Sequence, residues 1–330
     1  MKYLLQICLV VTSLLIISCQ KDENASMDVT KIIFNATINS NVEYDVKAET
    51  GSNFATGSYN MGLWVCDANK TPSYASPLME EFRNCKIEYT RNGNGEPDIW
   101  SFYGNGKNWN NSIAVDNGRA LDIFSYMPWN ENVTDITSIP FSTGAEEYMW
   151  CDPVSVTQTQ TSGEGVLNVN LNYRHIMTCI EVSVKSNVND AIMLDEITLK
   201  DITGTNIAAS GTYNAINGKI STEDGLMVDQ ITAIGGKMLT NDDTTPKICF
   251  KIPEYENYNS NNFELSFKFN GIDGATKFII PSTITNNGKL ESGKKYIVTL
   301  QLNEAMKFSV LEFRTADNWN SEIQNTDIEL

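Results

Sequence analysis

Apolar and polar residues alternate with a period of two along much of this chain. Leu167, Val169, Leu171 and Tyr173 alternate with Asn168, Asn170 and Asn172. Ile180, Val182 and Val184 alternate with Glu181, Ser183 and Lys185, and Phe263, Leu265, Phe267 and Phe269 with Glu264, Ser266, Lys268 and Asn270. Tyr296, Val298, Leu300 and Leu302 alternate with Ile297, Thr299, Gln301 and Asn303. Successive strand side chains point to opposite faces, so these runs predict antiparallel sheets with one face on a core and one in water. Turn signals separate the runs: Asn92-Gly93-Asn94-Gly95, Asp116-Asn117-Gly118, Asn217-Gly218, Asn270-Gly271, Asn287-Gly288 and Ser292-Gly293. Leu121–Tyr126 reads as a core strand running into a loop at Pro128. No window carries a long amphipathic helix. Many short strands with frequent turns predict an all-β chain built from sandwiches.

The start of the chain departs from this pattern. Lys2 precedes an apolar run from Leu4 to Ile17, and Ser18-Cys19 follows. Charged start, short apolar stretch and small residue form the order of a signal peptide, over residues 1–18. The run is shorter than the ~20 residues of a membrane span. Ile16-Ile17-Ser18-Cys19 resembles the bacterial lipobox, in which the cysteine becomes the first residue and carries acyl chains. Gln20-Lys21-Asp22-Glu23 resembles the tag that sends Bacteroidetes lipoproteins to the outer face of the outer membrane. The resemblance implies lipidation at Cys19 and a surface-exposed outer-membrane lipoprotein. Residues 19–30 then read as a flexible tether. The Thr/Gln/Ser/Gly-rich stretch Thr157–Gly165 predicts a boundary between an N-terminal sandwich, 31–163, and a C-terminal one, 164–330.

Charge narrows the partners. The formal net charge is −17 over 330 residues, and −18 once Lys2 leaves with the signal peptide. Nucleic-acid binding rests on Lys and Arg meeting phosphate, so this balance argues against it. It also argues against adhesion to an anionic lipid surface by charge alone. Attachment then falls to the lipid, at about 0.8 kcal/mol per buried methylene. Once Cys8 is removed and Cys19 acylated, Cys66, Cys85, Cys151, Cys179 and Cys249 remain. Their spacings fit neither a metal knuckle nor a disulfide scaffold. Alternation puts Cys85 on an apolar face with Ile87 and Tyr89, and Cys179 and Cys249 on the faces opposite the apolar ones. Free, mostly buried thiols are the expectation, with one disulfide as the alternative.

Catalytic constellations are absent from the pattern. The single histidine, His175, lies between two predicted strands with no Gly-x-Ser-x-Gly elbow to pair with, and reads as a strand-end residue satisfied by the backbone. No phosphate-binding or dinucleotide motif occurs. Asn92–Asp98 offers oxygen ligands in a tight loop but lacks the spacing of a calcium loop, so it reads as a hairpin turn. Glu80-Glu81, Glu146-Glu147 and Asp242-Asp243 read as acidic surface; a glycosidase needs carboxyls facing across a cleft. Trp109 and Trp129, in Asn-rich segments, are candidate exposed platforms for a sugar ring, which makes a carbohydrate-binding surface lipoprotein the alternative reading. Neither a cofactor nor a metal is implied.

Several segments in order resemble the fimbrillin family, the subunits of Bacteroidetes type V pili. They are Met61-Gly62-Leu63-Trp64-Val65, Ile99-Trp100, Asn108-Trp109, Ala120–Pro128, Leu171–Val182 around His175, Ser292–Leu300, and a chain end containing Trp319. The resemblance implies two tandem transthyretin-like antiparallel β-sandwich domains, no catalysis, and a role in assembly and adhesion. In shaft subunits of that family a surface protease removes the first strand, and a C-terminal strand of the next subunit fills the slot. Carried onto this chain, the removable strand is Lys31–Ile38, with Ile32, Phe34, Ala36 and Ile38 as its apolar row. The donor is Met306–Thr315, where Phe308 and Val310 and then Leu311 and Phe313 switch faces, which predicts a bulge or two short strands. The partners so implied are other fimbrial subunits, the membrane through the lipid, and a host protein or glycan. The family's best-known protease cuts after arginine, and no arginine precedes Arg83. Lys47 is the candidate processing site; without processing the chain would keep its lipid as an anchor or accessory subunit.

Overall fold

The computed structural model describes residues 29–38, 57–92, 96–116, 118–144, 146–157, 165–204, 207–222, 225–245, 247–254, 263–270, 272–281, 289–316 and 328–329. The secondary structure is β throughout these residues, apart from two single-turn 3-10 helices at Ser73–Ala75 and Glu80–Phe82. Eleven strands come first: β1 (Val29–Ile38), β2 (Gly57–Asp67), β3 (Cys85–Arg91), β4 (Ile99–Gly104), β5 (Lys107–Asn110), β6 (Ile113–Asp116), β7 (Ala120–Met127), β8 (Ile139–Ser142), β9 (Met149–Cys151), β10 (Val154–Thr157) and β11 (Gly165–His175). Ten of them form one sheet, ordered β5-β4-β3-β2-β7-β9-β11-β1-β6, with β10 also on β7. The sheet turns back on itself, because Phe34 of β1 lies 5.3 Å from Phe102 and 6.2 Å from Trp100 of β4. Its inner face buries Met61, Leu63, Ile87, Tyr89, Leu121, Ile123, Val169, Leu171 and Tyr173. Cys85 lies on that face, as the alternation predicts. Gly62 is required here, since a Cβ would sit 2.0 Å from the Tyr126 ring.

The remaining strands are β12 (Met177–Asn187), β13 (Ile192–Asp201), β14 (Ile207–Ala208), β15 (Ser210–Tyr213), β16 (Ile220–Ser221), β17 (Met227–Val228), β18 (Gln230–Leu239), β19 (Ile248–Pro253), β20 (Phe263–Phe269), β21 (Ile272–Ile279), β22 (Lys295–Asn303), β23 (Phe308–Ala316) and β24 (Ile328–Glu329). A four-stranded sheet, β19-β12-β22-β23, packs on a five-stranded one, β21-β20-β13-β18-β24. Ile180, Val182 and Val184 meet Leu194, Ile197, Leu199, Phe263 and Phe267 in the core between them. A third cluster joins Trp64, Phe124, Tyr126 and Tyr148 to Met177, Cys179 and Tyr213.

Two features differ from the sequence expectation. The sheets are mixed: β1 runs parallel to β11, and β12 parallel to β22. In addition, β12 is buried on both faces, so Glu181 and Ser183, expected in water, lie inside. One face of β12 meets the core with β13 and β20, and the other meets the Trp64 cluster. Period-two polarity identifies the strand but does not reveal a second covering layer.

The expectation of free thiols also changes. Cys179 and Cys249 form a disulfide across β12 and β19, with Cα atoms 5.7 Å apart. Both lie on the faces opposite the apolar ones, which is what brings them together. Cys66, Cys85 and Cys151 are free and buried. Burial pushes the Cys66 and Cys85 thiols up to about 12 and raises that of Cys151 as well. At pH 8 the three thiols should therefore resist iodoacetamide in the native protein and react after unfolding. Cys179 and Cys249 should label only after reduction. Replacing Cys249 by Ser should lower stability by about 4 kcal/mol, from the loop entropy of the 70-residue separation, as read by urea unfolding.

Candidate functional site

β1 occupies a slot that its sequence fits closely. Ile32 and Phe34 are fully buried and Ala36 nearly so, while Lys31, Ile33 and Asn35 face out. The predicted apolar row is thus the inward row over Ile32, Phe34 and Ala36. Nine residues, Thr30 to Ile38, register in parallel with Gly165 to Tyr173 of β11. On the other edge, Val29–Ile32 pairs antiparallel with Ile113–Asp116 of β6. Asn35 Nδ2 donates to Asn170 Oδ1 at 3.1 Å and Thr37 Oγ1 to Asn172 Oδ1 at 2.6 Å, so the outer face is tied as well. Burial of Ile32 and Phe34 contributes about 1.5–3 kcal/mol each. Parallel neighbours cannot be joined by a tight hairpin. No hairpin therefore ties β1 to β11, and its link to the next described strand runs from Ile38 to Gly57. Cys19 and Lys47 lie outside the described residues.

The predicted donor segment is β23, an edge strand paired antiparallel with β22. Thr299 pairs with Glu312 and Leu300 with Val310, so Leu311 is an extra residue: the predicted bulge is present. Phe308 and Phe313 pack against the core, whereas Val310 and Leu311 are half exposed.

A buried charged cluster, which local sequence reading missed, lies where β11 passes into β12. His175 Nδ1 is 2.9 Å from Glu147 Oε1. His175 therefore faces a carboxylate, a partner that the strand-end reading did not include. From the facing sheet come Lys251, Lys295 and Glu181, with Lys295 Nζ 3.0 Å from Glu181 Oε2 and Lys247 Nζ 3.3 Å from Glu181 Oε1. Burial alone would raise the pKa of Glu147, but the charge and hydrogen bond of His175, then Lys251 and Lys295, hold it below the usual carboxylate range. Burial lowers the pKa of Lys251, and Glu147 and Glu146 oppose that shift. Glu147 thus belongs to the interior, and the expected solvated pair Glu146-Glu147 is divided.

The other candidates are structural in their contacts. Trp109 lies on β5 rather than in a loop, half-buried with its ring 5.7 Å from that of Phe82. Trp129 is also half-buried; its Nε1 donates to the Asn84 carbonyl, and Lys86 Nζ sits 5.3 Å from its ring centre. Neither ring is the exposed platform expected. In the β3–β4 connection, Asp98 accepts hydrogen bonds from Tyr89 Oη at 2.7 Å and the Asn92 backbone N–H at 3.2 Å. These bonds tie the two described ends of that connection together. Among the described residues no cluster of three or more His, Cys, Asp or Glu could hold a metal.

The charged cluster gives a pH prediction. A carboxylate with a depressed folded pKa contributes stability that is complete above its unfolded value, near 4.5, and is lost as pH falls through the lower folded value. Glu147→Gln should therefore cost about 3 kcal/mol at pH 7, with the gap to the parent narrowing below pH 4.5, in denaturant titrations across pH.

No curated protein sequence matches the chain. One solved structure shares its fold, and others align over most of the chain with lower scores. A candidate cell adhesion protein from Bacteroides uniformis superposes with a TM-score of 0.54 at 13% identity, over 87% of this chain and 98% of that one. A second candidate cell adhesion protein, from Bacteroides ovatus, gives 0.48 at 13% identity, over 86% and 96%. The fimbrial anchor protein Mfa2 from Porphyromonas gingivalis gives 0.40 at 10% identity, over 88% and 98%. No helix among the described residues is long and apolar enough to cross a membrane. Residues 46–325 match the family model described as fimbrillin-like, and the chain belongs to that family.

Proposed function

We propose that this protein is a surface lipoprotein of the outer membrane that takes part in a fimbrium, as a structural, tip or anchor subunit, by strand exchange at the slot of β1. Family membership supports a fimbrial or adhesive role at the cell surface and suggests a non-enzymatic one. The observation that carries the finer reading is the seat of β1. Its inward row is buried, its long partner strand is parallel and distant in sequence, and one connection leads from it to β2. A single cut within 39–56 would free it without severing another described strand, and Lys47 falls in that interval. The empty slot would present the backbone edge of β11 above Trp100 and Phe102, a ready acceptor for an apolar strand. We read the body as two transthyretin-like sandwiches, held to the membrane by lipid on Cys19 after removal of residues 1–18.

The N-terminus of the protein recovered from cells tests this. Acylated Cys19 identifies an anchor or accessory subunit, and a new end near Ala48 a processed polymer subunit. A signal-cleaved protein with neither modification overturns the lipoprotein reading. In vitro, a chain lacking residues 19–47 should form heat-resistant ladders on gels, while the chain that keeps β1 stays monomeric in the same buffer. Identical monomers from both would reject strand exchange.

A further inference from the structure

A cleft of about 850 Å³ opens beside β1 on the side away from β11. Five consecutive residues of β1, Ile33 to Thr37, line it. Side chains alternate between faces along a strand, so five in a row can line one cleft only along the strand's edge. The reason for the opening is visible in the register. β6 pairs with Val29–Ile32, and the chain before it, at Asn110 and Asn111, belongs to the opposite wall. There Asn111 N–H donates to the Trp100 carbonyl at 2.7 Å. Among the described residues, the β1 edge beyond Ile32 pairs with no further strand and faces the cleft, across from Tyr89, Arg91, Ile99 and Trp100.

We propose that this edge accepts an extended segment of another polypeptide, added antiparallel to β1 as a continuation of β6, with apolar side chains at alternate positions and a carboxylate between them. The site exists with β1 in place and so is separate from a slot left by its removal. The chemistry of the walls favours a peptide over a sugar. Most of the polar side chains that line it are engaged: Asn35 and Thr37 with Asn170 and Asn172, Asp98 with Tyr89 and Asn92, and Asn111 Oδ1 with the Trp100 backbone N–H. What the cleft offers is strand backbone, the exposed apolar side chains of Ile33 and Ile99, and Arg91. Arg91 makes no ion pair among the described residues. Its guanidinium suits a carboxylate, held by charge-assisted hydrogen bonds. Five residues of added strand span about 17 Å.

The test uses the unprocessed chain from residue 20 and a capped octapeptide that alternates threonine and valine around one central glutamate. Hydrogen exchange at Ile33–Thr37 should slow roughly fivefold on adding millimolar peptide. Arg91→Glu should weaken binding about tenfold, and a peptide with lysine for glutamate should recover it on that variant. Unchanged exchange at Ile33–Thr37 would overturn the proposal, as would equal binding of a glutamine peptide. Competition by methyl glycosides would reassign the cleft to sugars. Protection already present without peptide, and lost on deleting residues 39–56, would give the edge to this chain itself.

Discussion

The pairing of β12 with β22 carries apolar contacts on two faces at once. On one face Ile180, Val182 and Val184 of β12, with Val298 and Leu300 of β22, close the core against β13 and β20. On the other, Met177 and Cys179 close the cluster around Trp64, Tyr126 and Tyr213. A sheet covered on both sides has no water to offer its polar side chains, so each needs a partner inside. Glu181 is placed against Lys295, with the exposed Lys247 reaching its other oxygen, and His175 against Glu147, under that constraint. The Cys179–Cys249 bridge lies on the same covered face. The turn before β22 is fixed there too: Ser292 Oγ donates to the Ile176 carbonyl and Gly293 N–H to that of Met177.

The same economy of partners separates β1 from the rest. Most strands are held by a neighbour close in sequence, as β3 is by β2 and β4. β1 is held by residues 135 positions away, such as Asn170 for Asn35. Its stability comes from burial and a long ladder rather than from local connection. That combination leaves it firmly seated while present, and topologically simple to remove.

Much of this was legible in the sequence. The alternation around Val166–Tyr173, Phe263–Asn270 and Tyr296–Asn303 matches strands in the structure within a few residues. The apolar row of β1 and the face switch near Leu311 were readable because period two makes the facing of each residue explicit. Parallel pairing was not, since alternation looks the same whichever way a neighbour runs. The second layer over β12 was hidden for a related reason: Glu181 and Ser183 look like a wet face until their partners, from Lys247 onward, are placed in space. Trp109 and Trp129 misled because asparagine-rich flanks suggest a loop, while the rings find Phe82, Asn84 and Lys86 from distant segments.

The parallel ladder of β1 also bears on the order of events in folding. A chain made and exported from its N-terminus releases Ile32, Phe34 and Ala36 long before Gly165–Tyr173 exist to receive them. Contacts so distant in sequence form only after a large loss of chain entropy, so local hairpins precede them. The first of the described strands to be synthesised is thus expected among the last to be seated. Until then the slot beside β11 and the apolar row of β1 would both be open, so a second copy could compete for the same seat during folding.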